Sequence, residues 1–156
     1  MAVPHSGRME ILAVNAEGTL LVSGEIDDWD QVRAHHVGTI VDLDGGIDPG
    51  LPEVPNELLY VYYPLIDDEL PNLEKLETVA RLVADLVLHR QVVLVHCRLG
   101  LNRSNLVVAT ALTYLGLTGA QALDHLRTLR PGILYNDIFA DHVQRLPARE
   151  RQRPGA

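Results

Sequence analysis

The chain holds one cysteine, Cys97, among its 156 residues. No internal disulfide can therefore staple the fold, and apolar packing must hold it together. A lone thiol suits a reducing compartment, so a cytoplasmic location is expected. No apolar run approaches the length of a bilayer crossing, and no membrane association is expected. Residues 1–10 include Pro4, Gly7 and Glu10 instead of an apolar stretch, so they do not read as a secretory signal. Positive charge is scarce: Lys and Arg number 13 against 21 Asp and Glu, a net charge of −8. That balance argues against general nucleic-acid binding. No internal repeat is visible. Hydrophobic residues make up 47% of the chain, enough for one globular domain over residues 1–156, with 147–156 expected to be a flexible, Arg-rich tail.

What is present is concentrated in residues 91–105, QVVLVHCRLGLNRSN. Val92, Val93, Leu94 and Val95 form a β-branched, apolar run of the kind buried on both faces of a parallel sheet. From Ser104 onward Leu106, Val107, Ala109, Leu112 and Leu115 recur at helical spacing up to Gly116, a helix stop. Strand, tight loop and helix thus follow one another, with Cys97 at the end of the strand.

A loop feeding a helix N-terminus gathers backbone N–H groups and the positive end of the helix dipole in one concavity, which suits an oxyanion. Gly100 lets that backbone curl. Arg103 can offer two parallel donors to a single anion, and Arg98 adds local positive charge to an acidic protein. The same positive field favours the thiolate of Cys97, a nucleophile beneath a bound phosphorus. By itself a cysteine after a valine-rich strand is a small buried hydrophobe. With His96 before it, Gly100 third after it and Arg103-Ser104 sixth and seventh, the reactive reading prevails. The overlapping Asn102-Arg103-Ser104 sequon reads as chance.

His96-Cys97-x5-Arg103-Ser104 resembles the signature loop of the cysteine-dependent protein tyrosine phosphatase superfamily, and most closely its small dual-specificity branch. The resemblance runs from about residue 19 to residue 146. It implies a single α/β domain, with a central, mostly parallel twisted sheet flanked by helices. It also implies a catalytic set of Cys97 as nucleophile, Arg103 on the phosphoryl oxygens, Ser104 assisting departure of the thiolate and His96 orienting the loop. Arg98, Leu99, Gly100, Leu101, Asn102 and Arg103 would bind the substrate phosphate. Family members carry a general acid in a loop upstream of the cysteine; Pro64-Leu65-Ile66-Asp67 looks like that loop, with Asp67 as the acid and Asp68 as its alternate. The chemistry independently requires such a carboxyl, to protonate the leaving oxygen and then to accept a proton from water. Arg130-Pro131, Asn136 and Phe139 look like the branch's closing pattern.

No metal and no cofactor is expected, and the expected partner is a phosphorylated protein or peptide met by a monomer. The expected substrate is phosphotyrosine, with phosphoserine and phosphothreonine as further candidates. Gly100-Leu101-Asn102-Arg103 also resembles loops of RNA 5′-phosphatases, so an RNA 5′-end or a small phosphorylated metabolite is the alternative. A phospho-binding module and a redox sensor are further readings, the last weakened by the absence of a resolving cysteine.

The rest of the chain predicts strands at 9–14, 19–22, 39–43 and 59–63, and helices from Asp27 or Asp28 to His36, from Asn72 to Arg90, from Thr118 to Arg130 and from Asn136 or Asp137 to Leu146. Asp42, Asp44 and Asp48 superficially suggest a calcium loop, but the closing glutamate is missing and the segment 44–57 reads as a surface loop bordering the site. His35 and His36 are adjacent on a helix and diverge, so they are not read as metal ligands. Tyr60, Tyr62 and Tyr63 read as packing residues.

Overall fold

A computed structural model describes residues 9–149. Among the described residues ten elements follow one another: β1 (Ile11–Ala13), β2 (Leu20–Ser23), α1 (Trp29–Ala34), β3 (Thr39–Asp42), β4 (Leu59–Tyr62), α2 (Leu73–Leu88), β5 (Val93–His96), α3 (Arg103–Tyr114), α4 (Gly119–Leu129) and α5 (Asp137–Gln144). The strands form one sheet in the order β1-β2-β5-β3-β4. Only β1 runs antiparallel to its neighbour. The apolar run at the centre of the sequence is thus the centre of the sheet, and every residue of β5 is buried. It is a single α/β domain of the expected class.

Alternation along the strands divides the core in two, because successive side chains point to opposite faces. Leu20, Val22, Val41, Val93 and Val95 meet the four helices α2 to α5. Leu21, Ile40 and Leu94 meet Ile26, Val32 and Trp29 around the short α1. Helix α3 is buried on nearly all sides, from Ser104 to Thr113, which is why it lacks the amphipathic pattern of a surface helix.

Caps set the helix starts where side-chain oxygens meet the unpaired N–H groups of a first turn. Asp28, Asn72 and Asn136 accept at α1, α2 and α5, and Thr118 with Gln121 completes the capping box of α4. Helix α1 ends at Ala34, two residues earlier than the sequence suggests. His36 turns to a φ of +59°, and its N–H returns to the Arg33 carbonyl.

At the other end of the chain, Arg149 lies within the stretch expected as a free tail but is tied down. Its N–H donates to the Thr113 carbonyl at 2.8 Å. Its guanidinium pairs with Glu77 and Tyr114 and covers the Tyr114 ring at 4.6 Å. Burial pushes the Glu77 carboxyl up, but the hydrogen bonds from Arg149 and Tyr114 outweigh it and hold the group below the usual glutamate range. The remainder of that tail, 150–156, lies outside the described residues. Among the described residues no helix is long and apolar enough to cross a membrane.

Register places the functional edge. Ser23 on β2, His96 on β5 and Asp42 on β3 are level with one another, and Tyr62 on β4 is level with Asp42. The chain therefore leaves all four parallel strands at one edge, and the segments beginning at Gly24, Cys97, Leu43 and Tyr63 converge there. Because β5 lies between β2 and β3, that edge is also a switch point of the sheet, where α/β folds open a crevice.

Candidate active site

The loop after β5 wraps a cleft of about 190 Å³ lined by Asp67, Cys97, Arg98, Leu99, Leu101, Asn102 and Arg103. Larger hollows exist, such as one of about 680 Å³ beside Met9 and Asp28, but they contain none of these groups. Cys97 is buried at 2% exposure, with Sγ 3.2 Å from Ser104 Oγ. Ser104 lies in the first turn of α3, so the hydroxyl meets the sulfur where the helix N-terminus points.

Two glycines permit the loop's tight curl. Gly100 has a φ of +71°, and a Cβ there would stand 2.7 Å from the Ser23 carbonyl carbon and 2.8 Å from the Gly24 nitrogen. A Cβ on Gly24 would in turn meet the Arg98 carbonyl oxygen at 2.9 Å. The loop thus rests on the end of β2 backbone to backbone, and the Glu25 N–H donates to that same Arg98 oxygen at 3.0 Å. From inside α3, Asn105 Nδ2 donates to the carbonyls of Gly100 and Leu101 at 2.9 and 3.2 Å.

Arg103 Nη1 donates to Asp44 Oδ1 and to the Leu65 carbonyl, each at 3.3 Å. These contacts fix the guanidinium plane at the cleft wall. Arg98 is two-thirds exposed and approaches Asp44 Oδ2 at 3.8 Å. Asp44 thereby offsets part of the positive charge that the loop presents. Leu99, 60% exposed, stands at the rim.

Asp67 lines the same cleft as Cys97, whereas Asp68 is exposed and not among its walls. Asp68 has a φ of +66°, and its N–H turns back onto Asp67 Oδ1 at 3.2 Å. Asn136 Nδ2 donates to Asp67 Oδ1 at 3.0 Å and Asn102 Nδ2 to Asp67 Oδ2 at 3.2 Å.

His96 lies behind the loop, 1% exposed. Its Nε2–H donates to Asp48 Oδ2 at 2.7 Å and lies 3.5 Å from Asp42 Oδ1. The Tyr60 hydroxyl donates to Asp42 and accepts from the Asp48 N–H at 3.1 Å. The Tyr62 hydroxyl accepts from the Gly46 N–H at 2.7 Å. Tyr60 and Tyr62 therefore pin the 44–57 loop instead of facing the cleft. The acids that resemble a calcium loop in sequence divide two ways: Asp44 turns to the arginines, while Asp42 and Asp48 turn to His96. Ligand atoms of Asp42, Asp48 and His96 lie within 4.8 Å of one another. Within the trio His96 and Asp48 are hydrogen-bonded to each other, Asp42 is engaged by the Tyr60 hydroxyl and the Asp44 N–H, and His96 Nδ1 has no partner among the described residues, so the trio reads as a hydrogen-bonded anchor for the loop.

Burial raises the Asp42 carboxyl above the ordinary aspartate value of 3.8; hydrogen bonds from Tyr60 and the Asp44 N–H and the proximity of His96 oppose the shift without cancelling it. Burial and the Asp42 bond likewise raise the Tyr60 hydroxyl. A carboxyl raised on folding binds its proton more tightly in the native state, so its contribution to stability is complete below the ordinary value and fades as pH rises through the folded value. Asp42→Asn is expected to gain in melting temperature relative to wild type as pH climbs from about 4 toward neutrality. A difference that stays flat over that range would show Asp42 to be ordinary.

A parallel α/β sheet with a cysteine-floored anion loop running into its central helix defines the class of cysteine-dependent phosphatases. Residues 35–146 match the dual specificity phosphatase catalytic domain, and the chain belongs to that family. Membership implies cysteine-dependent hydrolysis of phosphomonoesters and hence phosphorylated substrates. Similar solved structures include human DUSP28 (TM-score 0.72, 22% identity, covering 86% of this chain and 90% of that one). DUSP15 gives a TM-score of 0.71 at 22% identity, over 86% and 85% of the two chains. The Yvh1 phosphatase domain from Chaetomium thermophilum gives 0.70 at 19%, over 86% and 94%. At these identities the likeness is one of fold. No curated protein sequence matches the chain.

The sequence brought together Cys97, Ser104, Arg103, Asp67 and the loop 98–102, and they share one site in the structure. His96 adjoins it from behind. The sequence reading of Asp44 and Asp48 as a superficial calcium loop and of Tyr60 as a packing residue misses their bonds to Arg103, His96 and Asp42, because a distant partner leaves no spacing signal. The one available hint was the density of aspartates between 42 and 48.

Proposed function

We propose that this chain is a metal-independent phosphatase acting on phosphotyrosine in proteins or peptides, with phosphoserine and phosphothreonine as secondary substrates. The observation that carries the reading is the placement of Cys97, Arg103 and Asp67 around one small cleft at the N-terminus of α3. The Cys97 thiolate attacks phosphorus; the S–P bond forms as the P–O bond to the leaving group breaks. Loop N–H groups and Arg103 hold the phosphoryl oxygens. The Asp67 carboxyl gives its proton to the departing oxygen. Water then attacks the phosphocysteine, passing a proton to the Asp67 carboxylate, and the thiolate leaves with the Ser104 hydroxyl donating to it. His96, held by Asp48, keeps the start of the loop in place.

An aromatic substrate is favoured by the apolar groups around the cleft. Leu99 at its rim is 60% exposed, and Ile66 and Tyr135, next in sequence to Asp67 and Asn136, are 68% and 57% exposed. A phenyl ring entering above the phosphate site would cover apolar surface that otherwise faces water. Asp44 next to both arginines weighs against polyanionic ends. Phosphate release in EDTA is the test, comparing phosphotyrosine peptides with phosphoserine peptides and 5′-triphosphate RNA. Turnover is expected to be fastest for phosphotyrosine. Turnover of the RNA without the peptides would overturn the substrate assignment, and tight peptide binding with no release would reassign the chain as a phospho-binding module.

A further inference from the structure

Asn102 occupies the N-cap position of α3, yet its side chain makes no capping bond to that helix. Asparagine is favoured at this position for such a bond. Here Oδ1 accepts instead from the Asn136 backbone N–H at 3.1 Å, 34 residues away, which forces Nδ2 toward Asp67 Oδ2. Asn136 is oriented by the same logic. Its Oδ1 accepts from the Ile138 and Phe139 N–H groups as the cap of α5, so its Nδ2 must face the other way, onto Asp67 Oδ1. In both amides the oxygen is committed to backbone donors, and these commitments decide which end meets the carboxyl. Both residues are buried at 4% exposure, so water does not compete freely for either.

The segment carrying Asn136 is itself locked to the phosphate loop. The Leu134 N–H donates to the Leu101 carbonyl at 3.0 Å, with Leu134 held at a φ of +57°. Arg127 grips the carbonyls of Ile133 and Leu134 at 3.1 and 2.9 Å. Asp67 Oδ1 receives two donors, Asn136 Nδ2 and the Asp68 N–H, whereas among the described residues Oδ2 receives Asn102 alone. A carboxyl oxygen has two in-plane lone pairs, so Oδ1 is saturated and Oδ2 retains one.

We infer that Asn102 and Asn136 form a clamp that presets Asp67 for proton transfer, with the mobile proton carried on Oδ2 and directed to the leaving-group oxygen. They are positioning residues, and the inference rests on Asp67 being the general acid. No closing movement of the acid loop is needed, because the clamp is assembled before substrate arrives.

The experiment compares kcat/KM for phenyl phosphate, a poor leaving group, with p-nitrophenyl phosphate, an activated one. It uses Asn102→Ala, Asn136→Ser and Asp67→Asn, singly and combined. Asn136→Ser retains an oxygen to cap α5 while removing the donor, and thermal melts run beside the kinetics. A positioned general acid contributes about 10²–10⁴-fold. Each clamp variant is expected to lower kcat/KM for phenyl phosphate roughly 10-fold, with a far smaller loss for p-nitrophenyl phosphate and no further loss in the Asp67→Asn background. Asn102→Gln, which keeps a donor, should recover part of the loss. Equal losses on both substrates, or full additivity with Asp67→Asn, would overturn the clamp alone. If Asp67→Asn itself shows no leaving-group dependence, the acid assignment falls, and the clamp falls with it.

Discussion

Replacing Cys97 by serine is expected to abolish turnover, by on the order of 10⁴-fold or more, the scale seen when an enzyme loses its nucleophile. The substitution exchanges one chalcogen for another at a buried position 3.2 Å from Ser104 Oγ, with little change in volume. A serine hydroxyl is far more reluctant to lose its proton than a thiol, and the side chain that meets Cys97 Sγ is the Ser104 hydroxyl, a poor base. Anion recognition is a separate property. In the proposed mechanism it resides in the N–H groups of the loop, the end of α3 and Arg103, none of which changes. Inorganic tungstate, a tetrahedral oxyanion that cannot be turned over, should therefore bind Cys97→Ser within several-fold of wild type by calorimetry. A rate within tenfold of wild type would remove Cys97 from the mechanism. Loss of tungstate binding together with activity would mean that the sulfur, and not the backbone, organises the anion site.

The second large effect is expected at Gly100. Alanine there must adopt a φ of +71°, which costs about 1–2 kcal/mol for a residue with a Cβ. The new methyl would also press 2.7 Å from the Ser23 carbonyl carbon and 2.8 Å from the Gly24 nitrogen. These are backbone atoms at the end of a strand paired on both sides and of the residue that follows it, so they cannot swing aside as a flexible side chain would, and such overpacking costs about 1–3 kcal/mol. Gly100→Ala should thus lose about 2–5 kcal/mol in urea unfolding. If the domain survives by lifting the loop off β2, the donors move from the anion, and an error of about 1 Å in such a site can cost roughly 10²-fold in kcat/KM. Gly116 offers the control: it has a φ of +108° with nothing within 4 Å of a built Cβ, so Gly116→Ala should show strain without the collapse of activity. Equal activity losses at both glycines would show that general destabilisation, and not the loop's contact with β2, is responsible.

The loop and its two flanking elements were legible in the sequence because their determinants are local. A β-branched run, a glycine at the curl and a helical pattern follow one another between residues 92 and 116, and strand-loop-helix geometry follows from short-range sterics and hydrogen bonding. The helix caps Asn72 and Thr118 were visible for the same reason, since a cap acts on residues two or three positions away; at Asp27 or Asp28 and at Asn136 or Asp137 the sequence left a pair, from which the structure takes Asp28 and Asn136. The docking of Arg149 onto Glu77 was not visible, because a terminal arginine pattern looks the same whether solvated or paired.

The residue pattern alone pointed to the reaction class, to Cys97 as the candidate nucleophile and to a mostly parallel sheet beneath it. How the polar groups around Cys97 pair came with the folded arrangement. Asp48 reaches His96 across 48 positions, Asp44 reaches Arg103 across 59, and Asn136 reaches Asp67 across 69. A carboxylate in a loop has no periodicity that reveals its partner. Its partner is set by which strands are neighbours and by their register. Once β5 lies between β2 and β3 with His96 level with Asp42, the loops leaving that edge must meet, and their acids and amides find the nearest complementary charge or donor.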